Sequence, residues 1–135
     1  MFIEMLIADA LQREEKPRTP PSKLAGRWRN RLGSVMQVTV DENHRVDGSF
    51  TSGVGASGRT FHLVGYAEGD ALSFCVDFGR LGSVAAWAGH RVADDQGERL
   101  VTLWHLALPV REPHSDADVW GSVSAGGDEF TRLAT

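Results

Sequence analysis

From residue 24 onward the chain consists of short runs in which aromatic or β-branched residues alternate with polar ones. This period of two constrains the fold more than any other feature of the sequence, because side chains alternate across a β-strand. Clusters of Gly, Asn, Asp and Ser separate the runs at short intervals. The pattern is typical of an all-β sandwich or barrel.

The runs predict eight strands in chain order. Their ranges are Gly26–Leu32, Ser34–Val40, Arg45–Ser52, Thr60–Glu68, Ala71–Phe78, Ser83–Arg91, Arg99–Ala107 and Asp128–Leu133. Most links are short, which favours antiparallel neighbours, although residues 53–58 and 109–121 form longer connections. Closing such a sheet removes its exposed edges, so we expect an all-β fold, an eight-stranded antiparallel up-and-down β-barrel with a ligand pocket at one end.

The first residues of the chain have a different character. Residues 16–23 are rich in proline and charge, so we expect an N-terminal extension and linker over residues 1–23 and a barrel domain over residues 24–135. The apolar start has no basic region before it, and Glu4 and Asp9 interrupt it. It is a poor secretory signal and too short to span a bilayer, and the sequence leaves the compartment open.

Composition excludes several classes of function. The chain has 135 residues, 41% of them hydrophobic and 24% charged, which favours one folded domain over disorder. A net charge of -4 gives no basic surplus for nucleic acid or an anionic membrane, and neither is expected as a partner. Cys75 is the single cysteine, and metal-ligand spacings such as C-x-x-C are absent, so no metal or cofactor is expected.

Polar residues interrupt the aromatic-rich face of the predicted strands. They are Asn30, Ser34, Ser52, Ser83 and Asp128. A face that only packs a core should be apolar, because a buried polar group without a partner is costly. Aromatic walls with a few convergent polar groups are typical of a small-molecule pocket. The same residue types also satisfy turns and strand ends, so this pattern alone leaves a packed core open.

Five motifs follow one another in an informative order. They are G-R-W-R-N-R-L-G-S from Gly26, G-S-F-T-S-G-V-G from Gly48, S-V-A-A-W-A-G from Ser83, L-W-H-L from Leu103, and Trp120 followed by D-E-F-T from Asp128. In this order and spacing they resemble the avidin/streptavidin family over roughly residue 24 to the C-terminus. The resemblance implies a barrel that binds biotin without transforming it, and therefore a protein that is not an enzyme.

The resemblance also implies a role for each site residue. Asn30 and Ser34 would donate to the ureido oxygen of biotin, and Asp128 and Ser52 would accept from its N–H groups. Trp28 would sit behind Asp128. The apolar wall would consist of Leu32, Phe50, Val54, Phe78, Ala85, Trp87, Trp104 and Leu106. Ser83 and the backbone near Gly55 and Ala56 would meet the carboxylate.

Four residues depart from the family pattern. Phe50 replaces a tyrosine, Ala85 a threonine, Ala56 an asparagine and Phe78 a tryptophan. By the resemblance, the first two departures remove a hydroxyl from the ureido oxygen and one from the thioether sulfur. At about 0.5–1.5 kcal/mol per hydrogen bond, we expect weakened but still tight binding.

Other functions stay open at this point. An enzyme is disfavoured because no G-x-S-x-G nucleophile motif is present. A barrel for a purely apolar ligand would leave Asn30, Ser34 and Asp128 unsatisfied. An avidin-like barrel that binds another small ligand, or that has lost biotin binding, is the alternative.

The predicted outward face bears on assembly. Val101, Leu103 and His105 form a largely apolar outward stripe, which a single barrel should not expose. In the family, a tryptophan at the position of Trp120 caps the pocket of a neighbouring subunit. We therefore expect a homo-oligomer, with a tetramer favoured and a dimer as the alternative.

Overall fold

A computed structural model describes residues 2–11, 22–53 and 58–134 of the chain. Its strands are β1 (Gly26–Asn30), β2 (Val35–Val40), β3 (Arg45–Thr51), β4 (Thr60–Glu68), β5 (Ala71–Asp77), β6 (Val84–Asp94), β7 (Gly97–Ala107) and β8 (Val123–Arg132). Each strand pairs with the next in antiparallel register, and β8 returns to pair with β1. The predicted eight-stranded up-and-down barrel is confirmed.

The last strand is longer than predicted. It begins at Val123, whereas the sequence predicted a start at Asp128. The added residues are mostly Ser, Ala and Gly, which have weak strand propensity, and β7 holds them in register from Ala107↔Val123 to Leu103↔Gly127. Pairing with a neighbouring strand therefore overrides local preference at this position.

Two helices lie outside the barrel wall. Helix α1 (Ile3–Leu11) exposes the apolar side chains of Ile3, Met5, Leu6 and Ile7. Helix α2 (Asp116–Trp120) lies in the long connection before β8. A capping box begins α2, in which the backbone N–H of Asp118 donates to Ser115 Oγ at 3.3 Å and the backbone N–H of Ser115 donates to Asp118 Oδ2 at 2.9 Å. In the described part of the chain, neither helix has the length and apolarity needed to cross a bilayer.

The core fills the lower part of the barrel with alternating side chains from every strand. Trp28, Phe74 and Phe130 are fully buried and are the largest side chains of this core. Trp28 donates its indole N–H to the Leu24 carbonyl oxygen at 2.9 Å, and this bond ties the start of the domain to the core. Together these side chains close one end of the barrel.

Charged side chains seal that closed end. The Arg132 guanidinium lies 4.2 Å from the centre of the Trp28 ring and donates to the Ala25 carbonyl at 2.8 Å. Glu98 pairs with Arg132 and, at 3.2 Å, with Arg91. The backbone N–H after Arg132 donates to the Arg27 carbonyl at 2.9 Å, so the first and last strands meet here.

The Glu98 cluster should make folding sensitive to acid. The hydrogen bond from Arg132 lowers the pKa of Glu98, Arg91 adds to this effect, and burial opposes it. A carboxyl whose pKa is lower in the folded state stabilises the fold above its unfolded value of about 4.3, and that stability is lost as the pH falls to the folded pKa. We expect the thermal midpoint of Glu98→Gln to fall less than that of the wild type between about pH 5 and pH 3.

Thermal unfolding followed by circular dichroism measures this difference. Glu42→Gln, in an exposed turn, is the matched control and should keep the wild-type pH dependence. Identical pH profiles for the wild type and Glu98→Gln would contradict the prediction.

Candidate functional site

The other end of the barrel contains a cavity of about 730 Å³, within the usual range for small-ligand sites. Many residues predicted for the site line it. They are Asn30, Leu32, Ser34, Phe50, Ser52, Phe78, Ala85, Trp87, Trp104, Leu106 and Asp128. Four of the five polar residues that the sequence placed on one face, Asn30, Ser34, Ser52 and Asp128, therefore reach a common space.

Two of the predicted site residues that the structure describes do not line this cavity. Ser83, just before β6, and Trp120, at the end of α2, are described but do not line it. The Trp120 side chain is 85% exposed. Val54, Gly55 and Ala56 lie outside the described residues.

Asp128 is the polar centre of the cavity. Its Oδ2 accepts hydrogen bonds from Asn30 Nδ2 at 3.2 Å and from Trp87 Nε1 at 3.3 Å. Three strands thus converge on one carboxylate, because β8, β1 and β6 carry these residues on their inward sides. The second carboxylate oxygen retains capacity to accept from an N–H group of a ligand.

The turn between β1 and β2 fixes the orientation of two further polar groups. Asn30 Oδ1 accepts from the backbone N–H of Ser34 at 2.9 Å and of Leu32 at 3.2 Å, which leaves the amide nitrogen directed toward Asp128. Ser34 Oγ accepts from the Gly53 backbone N–H at 3.0 Å, so its hydroxyl proton can be donated elsewhere. The turn therefore presents N–H and O–H donors on the same side of the cavity.

Aromatic rings form the apolar wall. Trp87 stacks on Phe74 with ring centres 5.0 Å apart and lies 5.4 Å from Phe50. Phe78 meets Phe50 edge to face at 6.3 Å. These contacts fix the ring positions, so a flat apolar ligand would meet a preformed surface.

The position of the Trp104 ring depends on a glycine in the neighbouring strand, β8. A Cβ built at Gly126 would lie 2.5 Å from Cζ2 of the Trp104 ring, which is closer than real Cβ contacts. The ring lies across this glycine and donates its Nε1–H to the Gly127 carbonyl at 3.3 Å. Gly126 therefore sets the position of one wall residue.

We expect Gly126→Ala to displace the Trp104 ring and weaken ligand binding. Overpacking of this kind costs about 1–3 kcal/mol. If this cost destabilises only the complex with ligand, the affinity falls about 5- to 150-fold. Tryptophan fluorescence and a ligand titration measure the two effects. The control is Gly127→Ala, whose Cβ would meet only Thr102 O at 3.8 Å. Equal affinities for the two variants would contradict the prediction.

Sequence reasoning missed one positioning residue. Thr102, on the inward side of β7 and only 3% exposed, donates to the Asp128 carbonyl oxygen at 2.8 Å and so holds the backbone of the central acid. Its inward register was the available signal. Trp28, expected behind Asp128, donates its indole N–H to the Leu24 carbonyl oxygen, and the indole N–H that donates to Asp128 is that of Trp87.

The remaining unpredicted lining residues lie where β8 continues beyond the end of β1. They are Arg31, Val101, Leu103, Gly127 and Glu129. How far β8 continues beyond β1 depends on the relative lengths of these two strands, which are far apart in the sequence. The alternation of residues along each strand does not reveal those lengths.

Among the residues that the structure describes, no group of three or more His, Cys, Asp or Glu side chains is arranged to hold a metal ion.

The fold and the cavity define a barrel protein built to enclose one small ligand. The sequence profile described as "Avidin family" matches residues 18–133. The chain belongs to the avidin family, and it is a non-catalytic binding protein.

Solved structures agree with this assignment. Xenavidin is 30% identical, and the match covers 82% of this chain and 97% of that one, with a TM-score of 0.71. A biotin binding protein from chicken is 27% identical over 86% of this chain and 100% of its own, with a TM-score of 0.72. The rhizavidin–biotin complex, at 22% identity, 87% and 98% coverage and a TM-score of 0.72, supports the fold alone. No curated protein sequence matches the chain.

Proposed function

We propose that the cavity binds biotin without chemical change. The observation that carries this proposal is the convergence of Asn30, Ser34 and Asp128 at one end of an aromatic-walled cavity. A ureido group presents one carbonyl acceptor and two N–H donors at one end of an apolar bicycle. The cavity offers donors and an acceptor in the matching arrangement, and the chicken relative is itself a biotin binding protein.

Each polar residue has a role in the proposed complex. Asn30 and Ser34 donate to the ureido oxygen, and Asp128 and Ser52 accept from its N–H groups. The bicycle lies against the wall that includes Phe78, Trp87, Trp104 and Leu106. Ser83 and the segment around Gly55 and Ala56 meet the carboxylate of the valerate tail.

Calorimetric titration with biotin tests this function directly. We expect one ligand per chain, with a large negative heat capacity change because apolar surface is buried. A protein that is folded by circular dichroism but shows neither heat nor competition with a fluorescent biotin conjugate would overturn the proposal.

The apolar residues at two cavity positions should weaken the complex. Phe50 and Ala85 are buried at the wall and carry no hydroxyl. We expect Phe50→Tyr to slow biotin release about 2- to 13-fold, because one added hydrogen bond is worth about 0.5–1.5 kcal/mol. Stopped-flow displacement of bound biotin measures the rate. A release rate that is equal or faster would count against the proposed orientation of the ligand.

We further propose that residues 24–135 form the binding domain, that residues 1–23 are an extension, and that the barrel assembles into a homo-oligomer. Leu24 is buried in the core, whereas the described side chains of α1 are exposed, which supports this boundary. Trp120 is almost fully exposed on α2. A large aromatic side chain that is so exposed is suited to an intersubunit contact. A tetramer is the favoured form.

A further inference from the structure

Three arginines at alternate positions of β1 and the turn after it form what we call the arginine row. Arg27 and Arg29 alternate with the inward residues Trp28 and Asn30, and Arg31 follows in the turn to β2. All three arginines are exposed. Alternate residues of a strand lie about 7 Å apart, so the row extends over about 14 Å. Three positive charges are therefore concentrated on one strip of a chain whose net charge is -4.

The strands beside β1 place no charge opposite the arginine row. Arg29 lies opposite Val35 on β2 and Thr131 on β8, and Arg27 lies opposite Gln37 on β2. Over the ranges that the structure describes, none of the three arginines forms an ion pair with a carboxylate. Their guanidinium groups are thus available to an outside acceptor.

The outward carboxylates of the surrounding strands have other partners. Glu129 on β8 pairs with Arg99 at 3.2 Å, and Asp47 on β3 lies 3.0 Å from Nε2 of His62. Adjacent like charges repel, whereas opposite charges across strands stabilise a sheet. The chain has 18 Asp and Glu residues but sets none of them opposite this row. Such an arrangement suits a partner that supplies the missing negative charge.

We propose that the arginine row binds an extended acidic protein segment in which carboxylates recur at every second residue. Alternate side chains of an extended peptide lie on one side about 7 Å apart, so each of three carboxylates can meet one arginine. The planar guanidinium donates two parallel hydrogen bonds to a carboxylate, which a lysine ammonium cannot do. Arg27 and Arg29 do not line the cavity, so this surface is separate from the proposed biotin site.

The side chains beside the arginine row favour a peptide over a single-stranded nucleic acid. Proteins hold single strands largely by stacking the bases on aromatic side chains. The outward residues that flank the row on β2 and β8 include no aromatic residue; they are Val35, Gln37, Thr39, Glu129 and Thr131. Gln37 and Thr131 can instead form hydrogen bonds with a peptide backbone. The net charge of -4 also opposes the approach of a long polyanion.

Titration of isotope-labelled protein followed by NMR measures both the affinity and the place of binding. The probe is the peptide Glu-Thr-Glu-Thr-Glu with blocked ends, and its isomer Glu-Glu-Glu-Thr-Thr has the same charge. At an ionic strength of about 0.01 M, where the Debye length is about 30 Å, we expect the largest shifts on β1 and its two neighbours. The isomer turns one carboxylate away from the row and should bind about 2- to 5-fold more weakly.

Two double variants separate the row from the overall charge of the protein. Arg27→Gln with Arg29→Gln should bind the alternating peptide about 2- to 30-fold more weakly, because two ion pairs are lost. This variant should keep the wild-type circular dichroism spectrum and biotin affinity, since both side chains are exposed and outside the cavity. Arg80→Gln with Arg111→Gln, at exposed positions between strands, removes the same charge and should bind the peptide as the wild type does.

Three results would overturn this inference. The first is equal peptide affinity in the wild type and the Arg27/Arg29 double variant, and the second is equal affinity of the wild type for the two peptides. The third is binding of tetrathymidylate, which carries three phosphates, as tightly as the alternating peptide, because the row would then be a general anion surface. A protein that binds the alternating peptide in the expected way but does not bind biotin would support the inference while the proposed function fails.

Discussion

Replacement of Asp128 by alanine is expected to weaken biotin binding about 10- to 150-fold. A hydrogen bond to a charged acceptor contributes about 1.5–3 kcal/mol, and the variant removes the one that the carboxylate would make with a ureido N–H. It also leaves Asn30 Nδ2 and Trp87 Nε1 without their acceptor, so the two groups lose their fixed orientation. The loss should therefore lie toward the upper end of this range.

Calorimetry on the purified variants measures this effect. Asp128→Asn preserves the volume of the side chain, and we expect it to bind better than Asp128→Ala but worse than the wild type, because an amide accepts more weakly than a carboxylate. Asp95→Asn, in the exposed turn between β6 and β7, is the matched control and should bind as the wild type does. Wild-type affinity in both Asp128 variants would exclude this carboxylate from the complex.

Trp87→Ala is expected to have the largest effect on stability among the cavity residues. The side chain is buried, stacks on Phe74 and also contacts Phe50, so its removal leaves a hole between the core and the cavity. Truncation of a buried tryptophan costs about 3–5 kcal/mol of unfolding free energy. Urea denaturation followed by circular dichroism gives this value, together with a check that the slope of the transition is unchanged.

A second substitution at the same position separates packing from hydrogen bonding. Trp87→Phe keeps most of the ring surface but removes the N–H that donates to Asp128 at 3.3 Å. We expect Trp87→Phe to lose less than half of the unfolding free energy that Trp87→Ala loses. It should nevertheless bind biotin less tightly than the wild type. If Trp87→Ala unfolds at the same urea concentration as the wild type, this wall is not integral to the fold.

The period of two in the sequence predicted the strands, because a face that packs a core and a face that meets solvent must alternate along each strand. The short links between eight such strands then favoured a barrel. The period of two was sufficient to bring Asn30 and Asp128 into one cavity, since both lie on inward positions of strands that pair with each other. Alternation specifies the side of the sheet but not which inward groups touch. The link from Trp87 to Asp128 spans three strands of the closed wall, and only the curvature of the barrel produces it.

Other features depended on information that is not local. Val123 to Gly127 belong to a strand because β7 is available to pair with them, although their own propensity is weak. The position of Trp104 depends on the absence of a Cβ at Gly126, a contact between two strands that composition does not indicate. The short helix that ends at Trp120 could have been predicted from Ser115 and Asp118, whose spacing of three is that of a capping box.

The meeting of the first and last strands at the sealed end has a practical consequence. The backbone contact between Arg27 and Leu133 lies at the end of the barrel opposite the cavity mouth. A fluorescent protein or purification handle joined downstream of β8 would thus project away from the route by which a ligand enters the cavity. The same proximity makes the protein suitable for circular permutation, because a short peptide could join these two strand ends while new chain termini are placed in an exposed turn.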